Sequence, residues 1–597
     1  MEAETATLIS AVERAPATAA WRGHVLRAAG WSLCALTLYA LPMILSRPLF
    51  ETPEARIAVV AREMIERDNY IEPTLAGKTR LNKPPLPYWL AVLTAKYVAA
   101  STPSAPPSED TLRYAVLIPQ ALSGALAVFI VCLYGSIVFG AAAGTYAALI
   151  LGFSMMPAKF AQLGYPDTAL MLGFAGTACA ASWMACSPRP GVMSALALGV
   201  SVAWAFLIKE PIVALLLPAP VAIECCIGLY RRKFSGRKIV LFLLAGLVAA
   251  ALIAPWYYLV YKTVPNGWDR IVSERMSIWV KGHDDKPLKY YAEHLAGGLL
   301  PWTPLMLIAW ILGRTKPEQP SPESLDRAAF FRFLGFMALL AFIGFYSRAK
   351  KQEYYLLPLF PALALASGHA IACCRTVRGH VEESIAWLHV AVGLLGAAAL
   401  AYLPFQKYHD IPVALGIGVG AIFLVLFLIA ARYWAEGRIH ASGIVAGLAA
   451  FLALLPVSQM LVARGERKMA IDAIPGLQPR GSLLAEAPRL RAELDALGKD
   501  VVIYEWGNAL PLMNYLLGRP INGPKDLQEA IESRNAAGPR RVVVATPESL
   551  RRANLQRLLP QGGAAHPMLA LPLPQDIEVA EYFKFPEHEP IDPPDDD

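Results

Sequence analysis

The sequence predicts a mainly α-helical protein that crosses a membrane many times, and three observations carry that expectation. Hydrophobic residues make up 56% of the 597 positions and charged residues only 17%, whereas a soluble chain carries about 25% charged residues. Mean hydropathy is +0.42. The apolar residues gather into separate runs of membrane-spanning length, which excludes collagen-like, coiled-coil and disordered chains. Cys34, Cys132, Cys179, Cys186, Cys225, Cys226, Cys373 and Cys374 lie within or beside those runs with no CxxC pair. They read as small core hydrophobes, not as a disulfide framework or a zinc site.

The first run, 28–46, follows a head (1–27) carrying Arg14, Arg22 and Arg27 and lacks a small-residue cleavage pattern. It is expected to stay as a first helix. Further runs at 112–138, 141–157, 166–186, 192–208, 210–229, 239–261, 297–312, 329–346, 354–372, 384–404, 411–431 and 441–462 bring the expected spans to thirteen. The apolar stretch 84–97 contains Pro84, Pro85 and Pro87 and is too short to span, so it is expected at the membrane interface. Five basic residues within 231–238 mark that loop as cytoplasmic under the positive-inside rule. Counting back from it returns the N-terminal head to the same side. Thirteen spans then place the loops 47–111, 158–166, 262–296 and 347–353, and everything after 464, outside.

The C-terminal part differs in kind. Short β-branched runs at 501–504 and 541–545 read as buried strands, and 527–533 and 549–559 as amphipathic helices. The expected organisation is a tail (1–27), a transmembrane domain (28–463) whose loops 47–111 and 262–296 form the active site, a small external α/β domain (464–586) and an acidic disordered tail (587–597). The α/β domain has no glycine-rich phosphate loop or nucleophile elbow, so its expected role is to cover or shape the membrane site.

The external loops are dense in charge. Residues 47–84 hold seven basic and six acidic side chains, and 262–296 hold six and five. Such density at a membrane surface points to a polar or anionic site, although paired charges in solvated loops give the same composition. Glu54 follows Pro53 at a helix start, where a carboxylate meets the positive end of the dipole and can accept a proton from a hydroxyl; simple helix stabilisation is its plainer role. Lys83, heading the aromatic segment Asn82–Trp89, is placed to meet a lipid phosphate or to snorkel beside an aromatic belt. Asp167 begins a span and is either a second reactive carboxylate or a helix cap. Lys209 and Glu210 need partners or water at the membrane boundary. Arg348, Lys350, Lys351, Tyr354 and Tyr355 precede another span. All of these fall at one level of the membrane.

In order, PEARIAVVAREM, NKPPLPYWL, YPDTAL, PWYYLV with a charged loop closing in GLLPW, and a basic stretch ending YYLLP resemble the integral-membrane GT-C glycosyltransferases. The resemblance covers roughly 28–460 and is greatest to the bacterial group containing the aminoarabinose transferase that modifies lipid A, with protein O-mannosyltransferases as relatives. It implies the GT-C fold with about 13 transmembrane helices, external interfacial helices and a polyprenyl-phosphate sugar donor. Residue by residue, Pro53 stands where that group has its catalytic aspartate, which leaves Glu54, or Glu51 nearby, for that work. Lys83 matches the phosphate-binding lysine, and Asp167 and Tyr355 match directly. Asn82 replaces a glutamate able to ligate zinc, and Ser273, Glu274 and Arg275 stand where a Glu-Glu-His pattern is expected. No metal site or cofactor is therefore expected. His283, Asp284 and Asp285 are the alternative place for an ion.

The function so implied is an inverting transfer of a monosaccharide from undecaprenyl phosphate to lipid A or another envelope glycan at the outer face of a bacterial inner membrane. Glu54, then Asp167, are the catalytic candidates; Lys83, Arg56, Arg275 and Tyr355 are the donor-phosphate candidates. Expected partners are the lipid-linked donor, a lipid or glycan acceptor and membrane lipids, with no nucleic acid. A protein O-glycosyltransferase of the same fold, a lipid-linked substrate transporter or flippase, and a non-catalytic lipid-phosphate-binding subunit are the rivals. The transporter predicts internal repeats or broken helices in matching halves.

Overall fold

A computed structural model describes residues 2–49, 52–98, 107–187, 190–209, 218–230, 235–280, 286–312, 327–346, 351–374, 380–405, 411–469 and 492, together with five strands between 502 and 581. The helices are α1 (Glu2–Ile44), α2 (Thr52–Glu66), α3 (Leu86–Val98), α4 (Glu109–Phe139), α5 (Ala141–Gly152), α6 (Met155–Gln162), α7 (Pro166–Cys186), α8 (Val192–Ile208) and α9 (Pro218–Tyr230). They continue as α10 (Gly236–Thr263), α11 (Gly267–Val280), α12 (Leu288–Gly298), α13 (Thr303–Leu312), α14 (Arg327–Tyr346), α15 (Phe360–Cys373), α16 (His380–Tyr402), α17 (Val413–Ala435) and α18 (Ile439–Met469). The chain divides into a transmembrane unit (Met1–Ile44, Lys83–Pro87, Leu117–Met460) and a second unit (Leu45–Asn82, Tyr88–Val116, Leu461–Asp597).

Over its described residues each expected apolar run falls largely on helix, while length and composition alone do not confirm the count of thirteen spans. Among the described residues eight helices are long and apolar enough to cross, or ten if each of two bent pairs is one span. The physical reasons are local. The run 141–157 bends by 53° between α5 and α6, where the Ser154 hydroxyl donates back to the Ile150 carbonyl at 2.5 Å. The run 297–312 breaks by 101° between α12 and α13; Pro301 and Pro304 cannot donate to a helical ladder there. Val192–Ile208, Ala219–Tyr230 and Ala329–Gly344 are apolar but short. The 13 residues of α3 span about 20 Å at ~1.5 Å per residue, less than a hydrocarbon core of about 30 Å.

In the transmembrane unit α5 and α7 form the centre. Every residue from Ala143 to Gly152 is buried, and α7 is buried on nearly all sides. By contrast α10, α16 and α17 expose Leu243, Leu247, Leu394, Leu395, Ile422 and Val425, the pattern of helices solvated by lipid. Neighbouring helices meet through small residues: a Cβ on Gly173 of α7 would lie 2.7 Å from the Cβ and 3.0 Å from the Cα of Ala205 on α8. Such close approach lets van der Waals contact join helices where lipid removes the hydrophobic drive.

In the second unit α2 buries Ala55, Ala58, Val59, Val60, Ala61 and Met64. A two-stranded hairpin, β1 (Thr74–Leu75) and β2 (Lys78–Thr79), anchors to it. Thr74 donates its hydroxyl to the buried Glu63 carboxylate, and the Gly77 amide donates to the same group at 3.2 Å. Further along, β3 (Val502–Trp506), β4 (Ile521–Asn522), β5 (Arg541–Ala545), β6 (Leu571–Leu573) and β7 (Ile577–Glu581) make a sheet of order β4-β3-β5-β7-β6. Its pairings are parallel except for the antiparallel β6–β7 edge. Strands are thus present near both positions expected from the sequence. The expected helices 527–533 and 549–559, the acidic tail, the first half of the basic loop 231–238, Glu51, Glu210, the His283–Asp285 cluster, Arg348 and Lys350 lie outside the described residues.

Candidate active site

In the transmembrane unit the YPD and YYLLP motifs, far apart in sequence, come together. Gly164 takes φ +73°, a turn that favours glycine, and Pro166 then opens α7 with its ring preset for the first turn. Asp167, 3% exposed, follows. Its carboxylate does not serve as a simple cap: Oδ1 accepts from the Lys209 ammonium at 2.6 Å. Among the described residues its other oxygen takes no hydrogen bond. Lys209 closes the C-terminal end of α8, so the antiparallel α7–α8 contact through Gly173 and Ala205 brings cation and carboxylate to one level. The Ala169 amide, one turn into α7, donates to the Gln120 side-chain oxygen Oε1 at 3.2 Å, and its carbonyl accepts from the Trp204 indole at 2.8 Å.

Tyr355 completes this cluster. It is buried in a 3-10 turn, Glu353–Leu359, and the Lys209 ammonium lies 4.2 Å from its ring centroid, a cation–π distance. Tyr354 packs at 5.1 Å from Tyr165 and 5.6 Å from Phe160. Beside it Lys159 pairs with Glu353 at 2.5 Å. A carboxylate with one open oxygen, an ammonium and an aromatic wall can orient a hydroxyl and receive its proton. Lys83 belongs to this unit and is half-buried in the proline-rich segment.

In the second unit Glu54 sits in the first turn of α2, as the sequence implies. Its partner is Arg47, which the sequence reading counted only as one loop charge. The guanidinium grips both carboxylate oxygens, Nη2 to Oε1 at 2.5 Å and Nη1 to Oε2 at 3.3 Å, and both side chains are 0% exposed. Nη1 also donates to the Pro48 carbonyl at 3.1 Å. Fork-to-fork geometry of this kind is strong and directional. Arg56 is half-buried on the same helix, and Arg275 falls within α11, with its side chain outside the described residues. The structure therefore unites Asp167 with Tyr355 through Lys209, and Glu54 with Arg47. An arginine directly after the first span and seven positions before Glu54 is the signal that could have revealed the second pair.

Asn82 is 2% exposed. A neutral carboxamide there and an arginine at 275 do not fit a zinc ion. Among the described residues no three His, Cys, Asp or Glu side chains lie close enough to hold one.

A model of the dolichyl-phosphate-mannose-protein mannosyltransferase family matches residues 82–259. Crystal structures of ArnT from Cupriavidus metallidurans, in the apo state and bound to undecaprenyl phosphate, superpose with TM-score 0.65 at 17% identity, covering 89% of this chain and 95% and 94% of those chains. This chain has the GT-C fold of the aminoarabinose transferases. Among curated GT-C relatives, an undecaprenyl phosphate-alpha-4-amino-4-deoxy-L-arabinose arabinosyl transferase of Edwardsiella ictaluri is 24% identical over 80% of this chain and 86% of its own length. A Proteus mirabilis protein of that name, numbered 2, is 24% identical over 62% of this chain and 63% of its length. The chain thus spans a little under two thirds of that relative, while the GT-C likeness covers nearly all of the crystallised one. The multi-pass membrane character expected from composition holds with it.

Proposed function

We propose that the chain is a glycosyltransferase that moves a monosaccharide from undecaprenyl phosphate to a lipid or glycan acceptor at the periplasmic face of a bacterial inner membrane. The carrying observation is the Asp167–Lys209–Tyr355 cluster in a chain with the GT-C fold. Asp167, through its open oxygen, takes the proton of the acceptor hydroxyl, and Lys209 fixes its other oxygen. The hydroxyl oxygen attacks the anomeric carbon, the bond to the phosphate oxygen breaks, and the sugar is delivered with inversion. Negative charge grows on the leaving polyprenyl phosphate, where preorganised cations count most. Lys83 is assigned to that phosphate, with Arg275 and the Tyr355 hydroxyl as further donors. Glu54, with both oxygens taken by Arg47, is assigned to shaping the first external loop. No metal is assigned, because Asn82 is a poor zinc ligand compared with a carboxylate and Arg275 is no ligand at all.

The test is transfer of labelled 4-amino-4-deoxy-L-arabinose from undecaprenyl phosphate to lipid A by the purified full-length protein in nanodiscs. Release of undecaprenyl phosphate coupled to acceptor labelling supports the reading. If the protein binds the donor yet labels neither lipid A nor extracted envelope glycans or proteins, the chain is a binding subunit instead.

A further inference from the structure

At one end of the transmembrane unit a cation is held without an anion. Arg27, half-buried on α1, donates from Nε to His440 Nε2 on α18 at 3.1 Å, and its Nη1 lies 3.4 Å from His24 Nδ1, one turn back on α1. Among the described residues no carboxylate pairs with it. The acid nearest to His440 in sequence, Glu436, is engaged by Arg432 at 2.8 Å and by Arg438 at 3.6 Å. The two helices pack closely along this seam, since a Cβ on Gly447 of α18 would lie 2.9 Å from the Trp31 ring of α1. A guanidinium can only donate, so both ring nitrogens facing it are acceptors, and the imidazole protons sit on His440 Nδ1 and His24 Nε2. Two of the five guanidinium N–H groups are thereby used and three remain. Every side-chain group the cluster leaves open is a donor.

We propose that Arg27, His24 and His440 bind the phosphate of an anionic phospholipid headgroup, in the leaflet that meets this end of the transmembrane unit. A phosphodiester only accepts, and a guanidinium fixed by two neighbours is prepared to hold it. The place suits a lipid. Trp21–Ile44 and Ile439–Ala463 are both long and apolar enough to span, and His440 is the second residue of its span, at headgroup level. Gly23, Arg27 and Gly30 recur at the i, i+4, i+7 spacing of one helix face. Among the described residues a Cβ on either glycine would meet nothing within 4 Å, so the face beside the guanidinium is open to an acyl chain. Leu26 and Leu33 of the same helix are 72% and 64% exposed, as lipid contact requires. A zwitterionic headgroup would bring its own ammonium toward Arg27, which favours an anionic one. The site is independent of the transfer reaction and of the residues assigned to it.

The experiment is native mass spectrometry of the full-length protein in detergent, titrated with phosphatidylglycerol, phosphatidylcholine or inorganic phosphate. Arg27→Gln should weaken the tightest phosphatidylglycerol binding about tenfold, the loss expected for a charge-assisted contact. Its affinity for phosphatidylcholine should stay within about twofold of wild type. Arg27→Lys should fall between, because an ammonium keeps the charge but not the fork. Gly30→Leu alters no hydrogen bond of the cluster and fills the open face, so it too should lose phosphatidylglycerol, which separates the site from any effect of the arginine change on folding. In nanodiscs, exchange of phosphatidylcholine for phosphatidylglycerol should raise the melting temperature of the wild type and leave that of Arg27→Gln unmoved. Unchanged phosphatidylglycerol affinity in Arg27→Gln or in Gly30→Leu, or equal losses for the two lipids, would overturn the proposal. Displacement of phosphatidylglycerol by inorganic phosphate at matching concentration would overturn it as well, by giving the site to a free anion.

Discussion

Glu54 and Asp167 each occupy the first turn of a helix and each face a cation, yet Arg47 closes on both oxygens of Glu54 whereas Lys209 takes only Oδ1 of Asp167. The first pair is sealed, at 0% exposure on both sides, while Lys209 keeps 12% of its side chain accessible beside Tyr355. Two carboxylates of the same local grammar are thereby fitted for different work. A doubly gripped carboxylate has both oxygens engaged by its guanidinium, and taking away its partner strands a charge in the interior. A singly gripped one can act on a substrate and be reset.

The comparison breaks most sharply at Asp167. Asp167→Asn should lower turnover about a thousandfold, in the range attributed to a positioned general base, with donor affinity and thermal midpoint close to wild type. If Glu54→Gln instead shows that combination, the two carboxylates exchange roles. Arg47→Ala should act on the other side of the contrast. Loss of one member of a buried pair costs about 3 kcal/mol or more, visible as a large fall in melting temperature. Arg47→Met combined with Glu54→Leu should recover much of it, and a double variant no better than the single one would show that the pair does more than satisfy itself.

A third measurement sharpens the assignment of cations. Lys83→Ala should cut kcat about a hundredfold, the usual cost of one preorganised donor to a charge that develops in the transition state; near-normal activity would return Lys83 to a membrane anchor. Lys209→Met, which keeps the bulk of the side chain and frees Oδ1 of Asp167, should fall about tenfold and leave affinity for bare undecaprenyl phosphate unchanged. The smallest expected effect is that of a chelator. Activity should stay within about twofold after treatment with it, since Asn82 is a poor zinc ligand and Arg275 is none, and inhibition that added zinc reverses would contradict the metal-free assignment.

Much of this was legible in the sequence because it is written locally. Glu54 behind Pro53, Asp167 behind Pro166 and the apolar runs are short-range patterns, and each lies on the expected helix. The pairings were not legible, because they join positions that only tertiary structure brings close. Lys209 and Asp167 are 42 residues apart, and Tyr355 lies farther still. Arg47 was within reach, seven positions from Glu54, but a positive charge at the end of a span reads equally as a solvated flank. The bends at Ser154 and Pro301 were not legible either, because a hydropathy run does not record the direction of the chain.

The seam of Gly173 and Ala205 has a consequence for how this protein can change over evolutionary time. Because a Cβ on Gly173 would meet the Cβ of Ala205 at 2.7 Å, the two helices are in close contact there, and Lys209, one turn after Ala205, takes its azimuth from that contact. A single codon inserted between them would rotate the ammonium by about 100° around the helix and carry it off Asp167, even though no residue of the cluster had been altered. Indels in this lineage should therefore collect in the connection after Cys186, upstream of α8, and spare the five-residue stretch from Ala205 to Lys209.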